Sequence, residues 1–178
     1  MTSGAEALAR LVVDVPDYPE PGVVFKDVTP LLADPAGLRA VVAALADAGR
    51  RDGEVVVDAV VGMEARGFLF GTPVALELGV GFVPVRKAGK LPRETHSRSY
   101  ALEYGEATLQ IHRDALAPGA RVLLVDDVLA TGGTVEATRE LVTACGAEAV
   151  GVAVLMELSF LHGRARLGDL PLTALLTL

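Results

Sequence analysis

The chain has little with which to build a cross-linked, membrane-embedded or general nucleic-acid-binding protein. Its single cysteine, Cys145, has no intrachain partner, so no disulfide framework can form, and its apolar, helix-patterned surroundings before Gly146 assign it to core packing. Aromatic residues make up only 4% of the sequence, and the formal charge of −7 is opposite in sign to the basic face such nucleic-acid binders carry. No apolar run approaches the roughly 18 residues of a membrane span. The stretch Met1 to Arg10 lacks a basic segment followed by an apolar core. The expectation is a cytoplasmic protein with neither membrane nor nucleic acid as a partner. The three histidines, His96, His112 and His162, are scattered without metal-ligand spacing. Gly62 and Gly67 have the spacing of a P-loop, but Phe68 stands where its lysine belongs, and no glycine triplet follows a strand in dinucleotide-binding order. Internal repeats and low-complexity tracts are absent as well.

What remains is apolar and regular. With 178 residues, 51% of them hydrophobic, the chain is the size of one domain and can bury a substantial core without metals or disulfides. A short helix is expected over Ala5 to Val13, then an irregular entrance loop through Pro16, Pro19, Pro21 and Gly22. A helix follows from Pro35, with Asp34 as N-cap and Leu38, Val41, Val42, Leu45 and Ala46 at helical spacing, ending near Gly49. Strands are expected at Val55–Val61, Val80–Val85, Val122–Val125 and Ala149–Met156, with helices at Phe68–Glu77 and Val135–Ala144. This alternation implies a mostly parallel sheet flanked by helices, with ligands beyond the carboxyl ends of its strands. The segment Lys87 to Gly119, polar and then alternating around Leu109 and Ile111, suits a hairpin that begins as a mobile flap.

Five segments carry candidate chemistry. The apolar run Arg121 to Val125 leads into Asp126 and Asp127 and then the small turn Ala130-Thr131-Gly132-Gly133-Thr134. Carboxylates only accept hydrogen bonds, so the acids suit hydroxyl groups or a bound Mg²⁺, whereas the turn offers backbone N–H groups and hydroxyls to a phosphate. Together they describe a pocket for a phosphorylated sugar, although the residues alone also suit an ordinary turn in which Asp127 or Thr131 caps a helix. In Glu64-Ala65-Arg66-Gly67, an arginine opening a helix can grip an anion bidentately, or simply pair with Glu64 at the surface. Arg86, Lys87 and Lys90 form a cationic cluster on a glycine-containing segment that could equally be a solvated charge run. Leu102-Glu103-Tyr104-Gly105 combines a potential proton carrier with an aromatic, or is a plain pleated strand. Phe25, between Val24 and Lys26, can stack on a planar ring or enter the core.

In order and separation these motifs, over roughly Pro19 to Arg164, resemble those of the type I phosphoribosyltransferases, and the Leu-Ala-Thr-Gly-Gly-Thr version of the turn is similar to that of their adenine-using members. The resemblance implies one domain over residues 1–178 with the type I phosphoribosyltransferase fold, a small N-terminal hood within residues 1–33 and a flexible flap over 87–105. It implies transfer of a 5-phosphoribosyl group from 5-phosphoribosyl 1-pyrophosphate (PRPP) to adenine, giving AMP and pyrophosphate, with Mg²⁺ carried on PRPP, by a homodimer. Asp126 and Asp127 would hold the ribose hydroxyls and Ala130, Thr131, Gly132, Gly133 and Thr134 the 5-phosphate. Glu64, Ala65, Arg66 and Gly67 would hold pyrophosphate, assisted by Arg86, Lys87 and Lys90. Val24, Phe25 and Lys26 would bind adenine, Lys26 through its backbone, since the family often has arginine there. Glu103, Tyr104 and Arg66 would be catalytic. Two rivals are a transferase for another purine, against which the Leu-Glu-Tyr-Gly and Val-Phe-Lys-Asp elements argue, and a regulatory nucleic-acid-binding protein on the same fold, against which the acidic charge argues.

Overall fold

The structure is a computed structural model that describes residues 3–101 and 106–178. Leu102 to Gly105, with the expected Glu103 and Tyr104, lie outside the described residues. Helix α1 (Gly4–Leu11) starts with a reciprocal cap, in which Ser3 Oγ accepts from the Glu6 N–H at 3.2 Å and the Glu6 carboxylate accepts from the Ser3 N–H at 2.7 Å. Strands β1 (Val13–Pro16) and β2 (Val24–Asp27) pair antiparallel as a separate hood, so the expected irregular entrance contains a small hairpin. Helix α2 (Thr29–Ala33) precedes α3 (Pro35–Ala46), which Asp34 caps as expected by accepting from the Gly37 N–H at 2.8 Å.

The remaining elements are mostly strands, interrupted by two longer helices. In order come β3 (Arg50–Arg51), β4 (Glu54–Val55), β5 (Ala59–Met63), α4 (Gly67–Leu78), β6 (Gly81–Lys87), β7 (Thr95–Ala101), β8 (Glu106–His112), β9 (Arg121–Leu129), α5 (Gly133–Ala144), β10 (Glu148–Glu157) and β11 (Leu172–Thr177). Seven of these form one sheet in the order β11-β10-β9-β5-β6-β8-β7, parallel from β11 to β6 and antiparallel at the β8–β7 edge. The expected mostly parallel sheet is therefore present. Alternate residues feed two cores: Val61, Val122, Leu124 and Val152 pack toward α5, while Val60, Leu123, Val125 and Ala153 pack toward α1, α3 and α4. Each fully buried aliphatic side chain is worth about 1.5–3 kcal/mol, so the strand ends sit on a rigid platform. Cys145 is buried in the α5-side core. Among the described residues no helix is long and apolar enough to cross a membrane.

Three expectations change. The single strand Val55–Val61 is broken, because Glu54–Val55 turns back on Arg50–Arg51 and the main sheet begins only at Ala59. Asp58 fixes the break: its N–H donates to the Arg121 carbonyl at 2.7 Å and its carboxylate accepts from the Arg121 N–H at 2.8 Å. The strand expected to stop at Val125 continues as β9 through both acids to Leu129, since β10 keeps pairing alongside it, Val154 with Asp126 and Glu157 with Leu129. Strand β11 was not expected; its half-buried run completes the edge beside β10. Within the segment expected to be a flexible flap, β7 is paired along its length with β8, from Thr95 opposite His112 to Ala101 opposite Glu106.

Candidate active site

Strand β9 loses one neighbour just before its acids. Its pairing with β5 ends at Gly62 opposite Val125, and β5 then leaves the sheet into the Glu64–Arg66 loop. Asp126 and Asp127 therefore face a crevice between two parallel strands whose connections run in opposite directions, the position where α/β sheets bind ligands. The start of α4 approaches so closely that a Cβ on Gly67 would lie 2.9 Å from Asp126 Oδ1 and from the Val125 carbonyl. Asp126 Oδ1 also accepts from the Asp127 N–H at 2.9 Å. Burial and the neighbouring Asp127 charge push the Asp126 carboxyl well above its ordinary range; burial also raises Asp127, against the pull of Arg66.

The turn after β9 is shaped by backbone. Gly132 adopts φ +85° and precedes α5 with no side-chain cap, so neither Asp127 nor Thr131 caps that helix. The segment Gly163–Leu167, a tight 3-10 turn, supports it from behind: a Cβ on Gly163 would lie 2.1 Å from the Ala130 carbonyl oxygen. Ala130 to Thr134 thus line a small nook at a helix N-terminus, where unpaired backbone N–H groups and the dipole favour an anion.

Arg66, in the loop after β5, joins separate parts of the crevice. Its Nε lies 2.7 Å from Asp127 Oδ2, while its guanidinium stands 5.0 Å from the centre of the Phe25 ring. The pairing of Arg66 with Glu64, weighed as an alternative, is not formed. The ion pair to Asp127 lacks hydrogen-bond alignment, so Oδ2 is a buried carboxylate oxygen without an aligned donor. The peptide between Glu64 and Ala65 is cis.

Glu64 points to the cationic segment instead. It accepts from the Lys87 N–H at 2.9 Å and from Lys90 Nζ at 2.8 Å, with Arg86 Nε at 3.4 Å. Burial opposes its ionisation, but the bonds from Lys90 and Lys87 and the charges of Lys90 and Arg86 win, lowering its pKa. A carboxylate so engaged cannot donate to pyrophosphate; what it does is gather the cations. In the hood, Phe25 meets the edge of Tyr18 at 5.2 Å, and Val24 is exposed. The Lys26 ammonium pairs with Asp14 at 2.7 Å, so its side chain is held within the hairpin.

Residues 27–166 match the family described as phosphoribosyl transferase domain. An adenine phosphoribosyltransferase of a Nocardioides species is 69% identical over 174 residues, 97% of this chain and 94% of that protein. The chain belongs to the adenine phosphoribosyltransferase family. Crystal structures of family members agree with its fold: the enzyme of Thermoanaerobacter pseudethanolicus superposes with TM-score 0.91 at 45% identity, covering 98% of this chain and 99% of that one. The Saccharomyces cerevisiae adenine phosphoribosyltransferase, complexed with an imino-altritol bisphosphate and adenine, gives TM-score 0.90 at 41% identity, covering 98% and 99%.

Within this adenine phosphoribosyltransferase fold, the structure adds residues that no spacing announced. Gly163 backs the turn, and the connection that carries it is held by Arg164, whose Nε donates to the buried Glu157 at 2.9 Å. Tyr100 reaches the turn from the hairpin, with its hydroxyl 3.1 Å from Thr134 Oγ1. Tyr100 and Gly163 act across a long sequence separation, which local patterns do not record.

Proposed function

We propose that the chain transfers the 5-phosphoribosyl group of PRPP to adenine, giving AMP and pyrophosphate in purine salvage. The observation that carries this reading is Arg66, which touches both Asp127, on the sugar side, and Phe25, on the base side. The 5-phosphate fits the turn Ala130 to Thr134, where neutral backbone donors and the α5 dipole meet it. The ribose 2- and 3-hydroxyls donate to Asp126 and Asp127. Adenine lies against Phe25, with backbone groups of Val24 and Lys26 at its polar edge.

Adenine N9 attacks C1 as the bond from C1 to the pyrophosphate oxygen breaks. Positive charge develops on the ribose ring, and the adjacent carboxylates stabilise it. Arg66 stabilises the departing pyrophosphate, as do Lys87 and, once their side chains turn from Glu64, Arg86 and Lys90. Glu103 exchanges the proton of the base, and Tyr104 covers the centre. The paired acids, one oxygen of which lacks an aligned donor, fit a Mg²⁺ that arrives on PRPP, because that ion takes one or two carboxylates beside substrate phosphates. When bound, it neutralises the leaving group. A homodimer in the cytoplasm completes the reading.

The test is a panel of bases with PRPP and Mg²⁺, following pyrophosphate release. Adenine is expected to support turnover, with hypoxanthine, guanine and xanthine far behind. Equal rates with any of these would overturn the assignment of the base.

A further inference from the structure

Among the described residues, Tyr100 fastens the β7–β8 hairpin to the phosphate turn. Tyr100 lies near the end of β7, paired with Ala107 of β8, and its ring packs partly buried against the α5-side core. A Cβ on Gly133 would lie 2.9 Å from Tyr100 Cδ2, so the ring covers the first residue of α5 directly. The Tyr100 hydroxyl is 3.1 Å from Thr134 Oγ1, and Arg98, two residues earlier, forms an ion pair with Glu140 on the same helix. Beyond Ala101 the chain enters the segment that carries Glu103 and Tyr104.

We infer that Tyr100 is a positioning residue that couples occupancy of the phosphate turn to the placement of the hairpin; this rests on the reading of Thr134 as a ligand of the 5-phosphate. The hydrogen-bond inventory gives the coupling its direction. Each hydroxyl has one proton to donate, and in the free protein either oxygen can be the donor between Tyr100 and Thr134. A phosphate oxygen only accepts, so a bound 5-phosphate takes the Thr134 proton. Thr134 must then accept from Tyr100. The relay runs Tyr100 to Thr134 to phosphate, and each bond polarises the next. Phosphate binding thereby strengthens the bond that holds the root of the catalytic segment.

The experiment compares AMP with adenosine, which differs only in lacking the 5-phosphate, by calorimetric titration of the whole protein. Tyr100→Phe keeps the ring over Gly133 and removes the hydroxyl. It is expected to weaken AMP about threefold to tenfold, with adenosine unchanged. In a Thr134→Val background the same change should have no effect on AMP, whereas Thr134→Ser, which keeps the hydroxyl, should restore it. Equal weakening of AMP and adenosine, no weakening of AMP, or the same loss with and without the Thr134 hydroxyl would each overturn the coupling. Thr134→Val alone tests the underlying reading: if it leaves the preference for AMP over adenosine intact, Thr134 is not a phosphate ligand.

Discussion

The turn from Ala130 to Thr134 and the segment from Arg86 to Lys90 are both proposed to meet phosphate oxygens, yet one is held by its own backbone and the other by a carboxylate from elsewhere. The turn presents neutral donors fixed by Gly132, by the start of α5 and by the Gly163 backing. The cationic segment presents long charged side chains, two of which already face Glu64. A preorganised nook binds without rearrangement, so its full hydrogen-bond strength appears as affinity. A lysine that must leave one carboxylate to meet a phosphate contributes only the difference between two ion pairs. The same side chains are free to follow pyrophosphate as it departs, which suits a leaving-group site better than a permanent anchor.

The largest effect should arise from a residue belonging to neither holder. Glu103→Gln leaves the turn and the cations intact, so PRPP should bind nearly normally while the chemical step falls by about a hundredfold to ten-thousandfold. Single-turnover kinetics with adenine reads the rate, and titration reads the affinity. A parallel loss of PRPP affinity would show that the two anion holders depend on the segment between β7 and β8.

A smaller effect is expected at the acids. Asp126→Asn and Asp127→Asn each remove a charged acceptor from a ribose hydroxyl and should weaken PRPP by about tenfold to a hundredfold. Their effects on the free protein should differ. The Asp126 carboxyl holds its proton well above the ordinary range when folded, so the folded state binds more protons and stability falls as pH rises above about 4 through that raised pKa. Asp126→Asn removes this fall and should flatten the pH dependence of thermal unfolding. Burial raises Asp127 as well, against the pull of Arg66, so Asp127→Asn should flatten the same dependence to a smaller degree. Unchanged PRPP affinity in both variants would remove the sugar from this crevice.

The turn was legible in the sequence because its parts are contiguous: strand, acids, small residues and helix follow one another from Arg121 to Ala144, and local backbone preferences determine them. The strand's true end was less visible, since pairing with β10 carries β9 past the acids to Leu129, and pairing partners leave no local mark. Arg66 and Glu64 were both recognisable, but their partners were not: two residues apart, they reach Asp127 on one side and Lys90 on the other. Tyr100 and Gly163 were overlooked for the same reason. Each matters through a contact with the turn formed more than 30 residues away in sequence.

The most direct test of the division between backbone-held and carboxylate-held sites uses Lys90→Met and two ligands, ribose 5-phosphate and PRPP, titrated calorimetrically at one salt concentration. Lys90 is half-exposed and already paired, so its removal should weaken PRPP by only about threefold to tenfold. Ribose 5-phosphate, which engages the turn and the acids without any pyrophosphate, should bind with its affinity unchanged to within about twofold. Equal weakening of the two ligands would contradict the account, because the phosphate turn would then depend on the cationic segment.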